Sequence, residues 1–125
     1  MEPPVAPENG PPAVSLCVLT KRADFVRASH GRRFGTAGFN LQARKRAEGE
    51  AQGIRVGFTC SKKVGNAVAR NRAKRRLREI ARAVLPELGR DGWDYVLVGR
   101  KDTTATLPFD HLLADLRRAL QKVHG

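Results

Sequence analysis

The sequence predicts an α+β fold in which helices pack against one small sheet. Alternating apolar residues over 54–61 and an apolar run over 95–98 are typical of strands. Apolar residues at three- and four-residue steps over 69–88 and 109–123 are typical of amphipathic helices. Because a chain of 125 residues can close one hydrophobic core, we expect a two-layer α–β sandwich formed as a single domain.

The N-terminal segment is predicted to stay outside this domain. Five of the seven prolines lie within residues 1–12, and few apolar side chains accompany them. Such a segment cannot bury enough surface to offset the entropy of ordering it. We therefore predict a disordered Pro-rich tail over residues 1–14 and a single folded domain over residues 15–125.

The domain is predicted to begin with a short helix and an extended segment. Residues 19–31 place Phe25, Val26 and Ser29 near one helical face, and Gly31 ends the helix. The extended segment that follows, residues 32–44, is interrupted by two glycines. Either a bulge or a loosely bounded strand is therefore expected there; the glycines are Gly35 and Gly38.

Two strands and a helix complete the predicted sandwich. The strand over 54–61 is half-buried and directs Ile54, Val56, Phe58 and Cys60 to one side. The strand over 93–100 carries its apolar run without alternation, as expected of a strand covered on both faces. The helix over 108–123 follows Pro108, which suits a first turn, and its apolar stripe is Phe109, Leu112, Leu113, Leu116, Leu120 and Val123.

The helix between these strands has one apolar face and one basic face. Asn66 is the predicted N-cap, and Pro86 with Gly89 marks the far end. The apolar positions that recur at helical spacing are Ala69, Ala73, Leu77, Ile80, Ala81, Val84 and Leu88. At about 100° per residue, the opposite side carries Asn71, Arg72, Arg75, Arg78 and Arg82.

The basic face predicts a nucleic-acid partner. Six arginines and one lysine lie between Arg70 and Arg82 against one glutamate, and the whole chain has a formal net charge of +12. Like charges at this spacing repel one another, so a merely solvated face is the weaker interpretation. Hydroxyl and ammonium donors precede the helix, and arginine pairs well with phosphates; these donors are Thr59, Ser61, Lys62 and Lys63.

The same residues carry a family resemblance. The segment "SKKVGNAVARNRAKRRLRE" closely resembles the signature of the bacterial ribonuclease P protein component, in which an "RNR" box opens a basic helix after a strand. The segments "ADFVRASHG", "GFN" and "WDYVLVGRK" resemble its first helix, an aromatic strand position and its last strand. The resemblance spans roughly residues 18–123.

The resemblance implies both a fold and a function. The fold is a two-layer sandwich resembling domain 2 of ribosomal protein S5, with a left-handed βαβ crossover. The function is that of the protein subunit of ribonuclease P, which binds the catalytic RNA and the 5′ leader of precursor tRNA. It assists removal of the leader and broadens the range of substrates. The RNA subunit performs the hydrolysis and holds the Mg²⁺ that the holoenzyme requires, so the protein alone is not catalytic and binds no cofactor.

The resemblance also assigns residues. The positions matching the family's RNA-binding box, with two adjoining lysines, are Lys62, Lys63, Arg70, Asn71, Arg72, Lys74, Arg75 and Arg78. Phe25 and Phe39 match aromatic positions of the leader cleft, with ordinary core packing as the alternative. Ser29 and Gln42 stand where the family often has further aromatics, which reduces the surface for stacking on unpaired bases.

No catalytic or metal site is predicted on the protein itself. The histidines are scattered and are expected at the surface or at caps; they are His30, His111 and His124. The acids of the last strand region are expected in turns and at strand ends, or as contributors to a weak magnesium site; they are Asp91, Asp94 and Asp102. Cys17 and Cys60 fit no ligand spacing, so reduced thiols and a cytoplasmic location are expected.

Membranes and DNA are not expected partners, and one other class of protein remains open. No apolar run approaches the about 20 residues that a membrane span needs. A DNA-binding regulator would insert the basic helix into a major groove, but one asparagine among arginines offers little base readout. A ribosomal or general RNA-binding protein would share the charge and need no leader cleft.

Overall fold

The computed structural model describes residues 16–50 and 53–125, so the predicted tail over 1–14 lies outside the described residues. The strands are β1 (Leu16–Val18), β2 (Arg32–Gly35), β3 (Phe39–Lys45), β4 (Ile54–Thr59) and β5 (Trp93–Gly99). The helices are α1 (Arg22–Ser29), α2 (Ala67–Leu88), α3 (Thr103–Thr106) and α4 (Phe109–His124), with one turn of 3₁₀ helix at Lys62–Val64. The short elements β1 and α3 were not predicted from the sequence.

The strands form one mixed sheet in the order β1-β4-β5-β3-β2. β4 lies between β1 and β5 and is parallel to both, whereas β3 is antiparallel to β5 and to β2. The unit β4–α2–β5 is therefore a βαβ crossover between neighbouring parallel strands. Its left hand stays a prediction from the resemblance, and the α+β sandwich itself is confirmed.

Helices cover the two faces of the sheet unequally. α2 and α4 pack on one face and bury the main core, in which Leu41, Ile54 and Leu97 of the sheet meet Leu77 and Leu116 of the helices. α1 packs on the other face over a smaller cluster formed by Leu19, Ala28 and Val96, with Phe25 and Val98 beside it. Successive side chains along a strand point to opposite faces of the sheet, so each strand can contribute one row of side chains to each core.

The caps predicted for α2 are confirmed. The Asn66 side chain accepts a hydrogen bond from the Ala69 N–H at 2.9 Å, and the Gly89 N–H donates to the Leu85 carbonyl at 2.8 Å. The predicted apolar stripe is buried from Ala73 to Val84, and Leu85 adds a buried position that the pattern did not include. Pro86 lies inside the last turn of the helix.

The two glycines of residues 32–44 flank a hairpin turn and mark no bulge. The Thr36 N–H and hydroxyl each donate to the Phe39 carbonyl at 2.8 Å, which closes the turn between β2 and β3. At Gly38 a Cβ atom would lie 2.3 Å from Cδ2 of Leu112. A side chain at this position would have to displace the Leu112 methyl group of α4, and glycine avoids that contact.

Two polar residues are more deeply placed than predicted. His124 is half-buried rather than exposed: its Nε2 lies 2.6 Å from the Tyr95 hydroxyl, and its ring packs edge-on against Trp93. Asp94 is fully buried within β5 and is hydrogen-bonded to Arg46 and Arg55. Its carboxylate is therefore engaged by arginines, which corrects the suggested contribution to a magnesium site.

Candidate nucleic-acid interface

Three arginines and one asparagine of α2 are exposed on the side of the helix that faces away from the core. We call the four exposed residues on this side, Asn71, Arg72, Arg75 and Arg82, the basic face. It arises because the buried positions of α2 fall on one side of the helix and leave the charged positions on the other. Lys62 and Lys63 extend the positive surface before the helix begins, and both are exposed.

Four further cations of α2 are half-buried: Arg70, Lys74, Arg76 and Arg78. Arg76 donates from Nη1 to the Thr104 carbonyl at 3.0 Å, which attaches α2 to α3. The Arg78 guanidinium lies over the Phe58 ring, 5.8 Å from its centroid. Arg78 is thus positioned by a cation–π contact and keeps its charge for a ligand at the side of the helix.

The positive charge of this region is not neutralised from within the described part of the chain. No carboxylate in residues 16–50 or 53–125 lies within 4.0 Å of a lysine or arginine nitrogen between Lys62 and Arg82. The ion pairs that the structure does contain lie elsewhere, at Arg27, Arg44, Arg46, Arg55 and Arg118. A concentrated, unpaired positive surface of this kind suits a phosphate backbone.

An open cleft lies on the other face of the sheet, between α1 and the strands. It has a volume of about 530 Å³ and is lined by Thr20, Arg22, Phe25, Val26, Ser29, Gln42, Phe58, Thr59, Val96 and Val98. Phe25 is half-buried and lies directly on β4, because a Cβ atom on Gly57 would come within 2.5 Å of its ring. The ring therefore forms part of the floor of an apolar cleft with polar edges.

Phe39 does not line this cleft, which corrects its predicted role in leader binding. Its side chain is fully buried in the main core on the opposite face of the sheet. Alternation along β3 accounts for this placement, because Phe39 points to the same side as Leu41, whereas Gln42 points into the cleft. The core-packing alternative therefore holds for Phe39, and Phe25 is the one of the two that a ligand could reach.

A buried ionic cluster beneath the cleft connects α1 to the sheet. Arg55 donates to both carboxylate oxygens of Asp94 at 2.8 Å and lies 3.5 Å from Asp24 of α1. Arg27 also pairs with Asp24, at 3.0 Å. Burial disfavours the charged form of Asp94, but hydrogen bonds from Arg55 and Arg46 outweigh it and lower its pKa from the ordinary value.

Sequence reasoning missed this cluster, although a signal for it was present. Asp94 adjoins the apolar run of a strand predicted to be covered on both faces, where an isolated carboxylate would be costly. Arg55 occupies a position on β4 that points to the same side, and the two residues pair in register. A buried acid opposite an arginine on a neighbouring strand thus explains how α1, and with it the cleft, is positioned.

Comparison with known proteins identifies the family of the chain. The sequence profile of the family described as Ribonuclease P matches residues 16–124. The chain belongs to the ribonuclease P protein family. It is 68% identical over 121 residues to the ribonuclease P protein component of Ruegeria pomeroyi, covering 92% of this chain and 97% of that protein. Identity to the component from Paramagnetospirillum magneticum is 50% over 115 residues, covering 89% and 85%.

Solved structures of the family share the fold. The RNase P protein of Staphylococcus aureus superposes with a TM-score of 0.67 at 26% identity, over 86% of this chain and 97% of that one. The protein from Thermotoga maritima superposes with a TM-score of 0.68 at 25% identity, over 83% and 94%. The chain is accordingly an auxiliary subunit of an endoribonuclease that acts in tRNA processing with an RNA subunit. In the part of the chain that the structure describes, no helix is long and apolar enough to cross a membrane.

Proposed function

We propose that the chain binds the catalytic RNA of ribonuclease P through the basic face of α2 and the lysines before it. The observation that carries this proposal is the unpaired positive charge between Lys62 and Arg82, arranged on one side of a helix that the core fixes in place. Arg70, Lys74 and Arg78 border the face and add cations at its edge. Phosphates of a folded RNA are the ligands that such a surface attracts, with release of counterions.

The cleft beneath α1 is the proposed site of the 5′ leader of precursor tRNA. Phe25 lines the cleft and offers a ring on which an unpaired base can stack. Ser29 and Gln42 line the cleft as polar groups, so hydrogen bonding replaces part of the stacking expected of aromatic residues there. The cleft and the basic face meet at Phe58, which lines the cleft and contacts Arg78.

In this proposal the RNA subunit carries the chemistry and the Mg²⁺ ions. The protein supplies positive charge near the phosphates of both RNAs and a cleft that only a leader-bearing substrate fills. It therefore assists cleavage and broadens the set of substrates by lowering phosphate repulsion and adding contacts upstream of the tRNA. Duplex DNA is not a proposed partner, because a phosphate-binding helix of this kind provides little base readout in a major groove.

A salt titration tests the RNA-binding surface. The logarithm of affinity for the catalytic RNA should fall linearly with the logarithm of salt concentration, and Arg72→Ala should reduce the slope by about one. The matched control is Arg118→Ala, which removes an exposed arginine of α4 that pairs with Asp115 at 2.9 Å. An unchanged slope for Arg72→Ala, or equal affinity for duplex DNA at one salt concentration, would contradict the proposal.

A further inference from the structure

One line of residues along α2 lies farthest from the core and does not fit a purely phosphate-binding role. At about 100° per residue, Val68, Arg72, Arg75 and Glu79 fall on the side opposite the buried positions, and we call them the outer stripe. They line a shallow groove of about 560 Å³ together with Asn71 and Arg76. The stripe thus combines an apolar residue, two arginines and a carboxylate on one exposed surface.

The apolar member of the stripe contributes little to the fold. Val68 is 77% exposed, the most exposed large apolar side chain among the described residues. A β-branched side chain at an exposed helical position is also less favourable than alanine by a few tenths of a kcal/mol. Neither burial nor helix propensity therefore explains why residue 68 is a valine. Phosphate binding does not explain it either, because the valine side chain has no hydrogen-bond donor.

The carboxylate of the stripe has cations within helical reach and pairs with none of them. Arg75, Arg76 and Arg82 lie four before, three before and three after Glu79, yet no arginine nitrogen lies within 4.0 Å of its oxygens in the described chain. Arg76 instead donates to the Thr104 carbonyl. A free carboxylate in this position repels phosphates, so it weakens a surface whose only task is to bind them.

We propose that the outer stripe contacts an unpaired base of the RNA subunit, with Glu79 accepting a hydrogen bond from an exocyclic amino group of cytosine or guanine. Carboxylates recognise such amino groups, and apolar side chains contact the faces and methyl-bearing edges of bases. Val68 supplies the apolar contact, and Arg72 and Arg75 bind the flanking phosphates. The base is placed in an unpaired segment because sequence-specific recognition of RNA mostly uses single-stranded loops and bulges, whose bases expose both their faces and their edges.

This inference rests on the proposed binding of the RNA subunit to α2. It reverses the direction in which a substitution of Glu79 should change the affinity for that RNA. If Glu79 only repels phosphates, Glu79→Ala and Glu79→Gln should both bind the RNA more tightly than the natural chain. If Glu79 accepts a hydrogen bond, affinity should decrease in the order natural chain, Glu79→Gln, Glu79→Ala, because the glutamine oxygen still accepts while alanine does not. We expect a loss of about tenfold for Glu79→Ala.

The experiment measures affinity of the full chain for its own catalytic RNA and for an unrelated folded RNA of similar length, at one salt concentration. Glu79→Ala should lose affinity for the catalytic RNA only, and Val68→Ala should do the same to a smaller extent. Glu87→Ala is the matched control, because it removes an exposed carboxylate of α2 outside the groove; it should strengthen binding of both RNAs or leave it unchanged. Melting curves identify any variant that is not folded.

Two outcomes separate this inference from the proposed function. Tighter binding of the catalytic RNA by Glu79→Ala would overturn base recognition by the outer stripe while leaving α2 as the phosphate-binding surface. Equal loss for both RNAs would also overturn it, since a base contact is specific to one RNA. If Arg72→Ala changes binding of neither RNA, α2 is not the docking surface and the proposed function itself fails.

Discussion

Phe25 and Phe39 show that a family resemblance does not by itself determine where a single side chain lies. The resemblance assigned both residues to a leader cleft, yet Phe25 lines the cleft beside α1 and Phe39 is fully buried in the main core. Alternation along β3 predicts that Phe39 and Gln42 point to opposite sides of the sheet. It does not say which side the long helices cover, because that depends on the three-dimensional path of the chain.

Substitution of the two phenylalanines should affect different properties, stability for Phe39 and substrate binding for Phe25. Phe39→Ala removes a fully buried ring from the main core and should lower the free energy of unfolding by about 3–5 kcal/mol. Phe25→Ala removes a half-buried ring of the cleft, so it should cost less stability and weaken binding of precursor tRNA more than that of mature tRNA. Urea unfolding and binding of both tRNAs by the assembled holoenzyme are the measurements. Equal loss of both tRNAs with Phe25→Ala would exclude a leader contact at that ring.

His124 is a second residue whose surroundings could not be predicted from its position near the end of a helix. The Tyr95 hydroxyl accepts a hydrogen bond from the Arg90 N–H at 2.9 Å and shares a second hydrogen bond, at 2.6 Å, with Nε2 of His124. Burial, with the charges of Arg90 and Arg32 nearby, lowers the pKa of His124 to about 4. The folded chain therefore keeps this imidazole neutral at pH values where an unfolded histidine takes up a proton.

This difference should make stability depend on acidic pH. Between the ordinary pKa of 6.5 and the folded value of about 4, the unfolded chain binds the additional proton. The stabilisation is therefore complete above the ordinary value and is lost as pH falls through that window. The free energy of unfolding of the natural chain should fall more than that of His124→Gln between about pH 7 and about pH 4.5. Parallel profiles for the two proteins would show that His124 titrates normally.

At the scale of elements, α2 was the most predictable part of the molecule. Its N-cap and its apolar stripe follow from local chemistry and a 3.6-residue period, and both are confirmed. The pattern could not predict that Arg76 and Arg78 contact the protein body at Thr104 and Phe58. A long side chain reaches neighbouring elements, and the sequence of the helix does not determine where those elements lie. The positions on the apolar face, by contrast, follow from the helical period.

The two faces of α2 should respond differently to substitution. Leu77→Ala creates a cavity at a fully buried position and should lower the free energy of unfolding by about 2–5 kcal/mol. Arg75→Ala relieves repulsion between like charges, so the melting temperature should stay unchanged or rise slightly while binding of the catalytic RNA weakens. Thermal unfolding and RNA binding of the two variants provide the comparison. Similar destabilisation by both substitutions would mean that the faces of the helix are wrongly assigned.

At the scale of the whole molecule, the order of the strands in the sheet could not be predicted from local sequence patterns. β1 joins the sheet beside β4 and β3 joins it beside β5, although neither neighbour is adjacent in sequence. The pairing of β5 with β3 and β4 also brings Asp94 to Arg46 and Arg55, and Arg55 in turn pairs with Asp24 of α1. The fold class and the basic helix were therefore predictable from sequence, while the cleft depends on contacts between distant segments that periodicity does not encode.

The proposed RNA-binding helix and the proposed leader cleft lie on one small protein, and together they predict a division of labour with the RNA subunit. The isolated protein should cleave no precursor tRNA at any Mg²⁺ concentration, because the chemistry is proposed to reside in the RNA. The RNA subunit alone should retain activity at high salt, where ions screen phosphate repulsion. Near physiological salt the cations of α2 should replace that screening, and added protein should restore cleavage.

The size of the protein's effect should depend on the substrate. Precursor tRNAs that carry a leader long enough to enter the cleft should gain more from added protein than those with a leader of one nucleotide, since only the former contact Phe25 and its neighbours. Single-turnover cleavage and binding, measured for both substrates with and without protein, give the comparison. An equal gain for both leaders would assign the protein's role to charge screening alone. Cleavage by the isolated protein, free of RNA, would place the catalytic groups on this chain and overturn the proposed division.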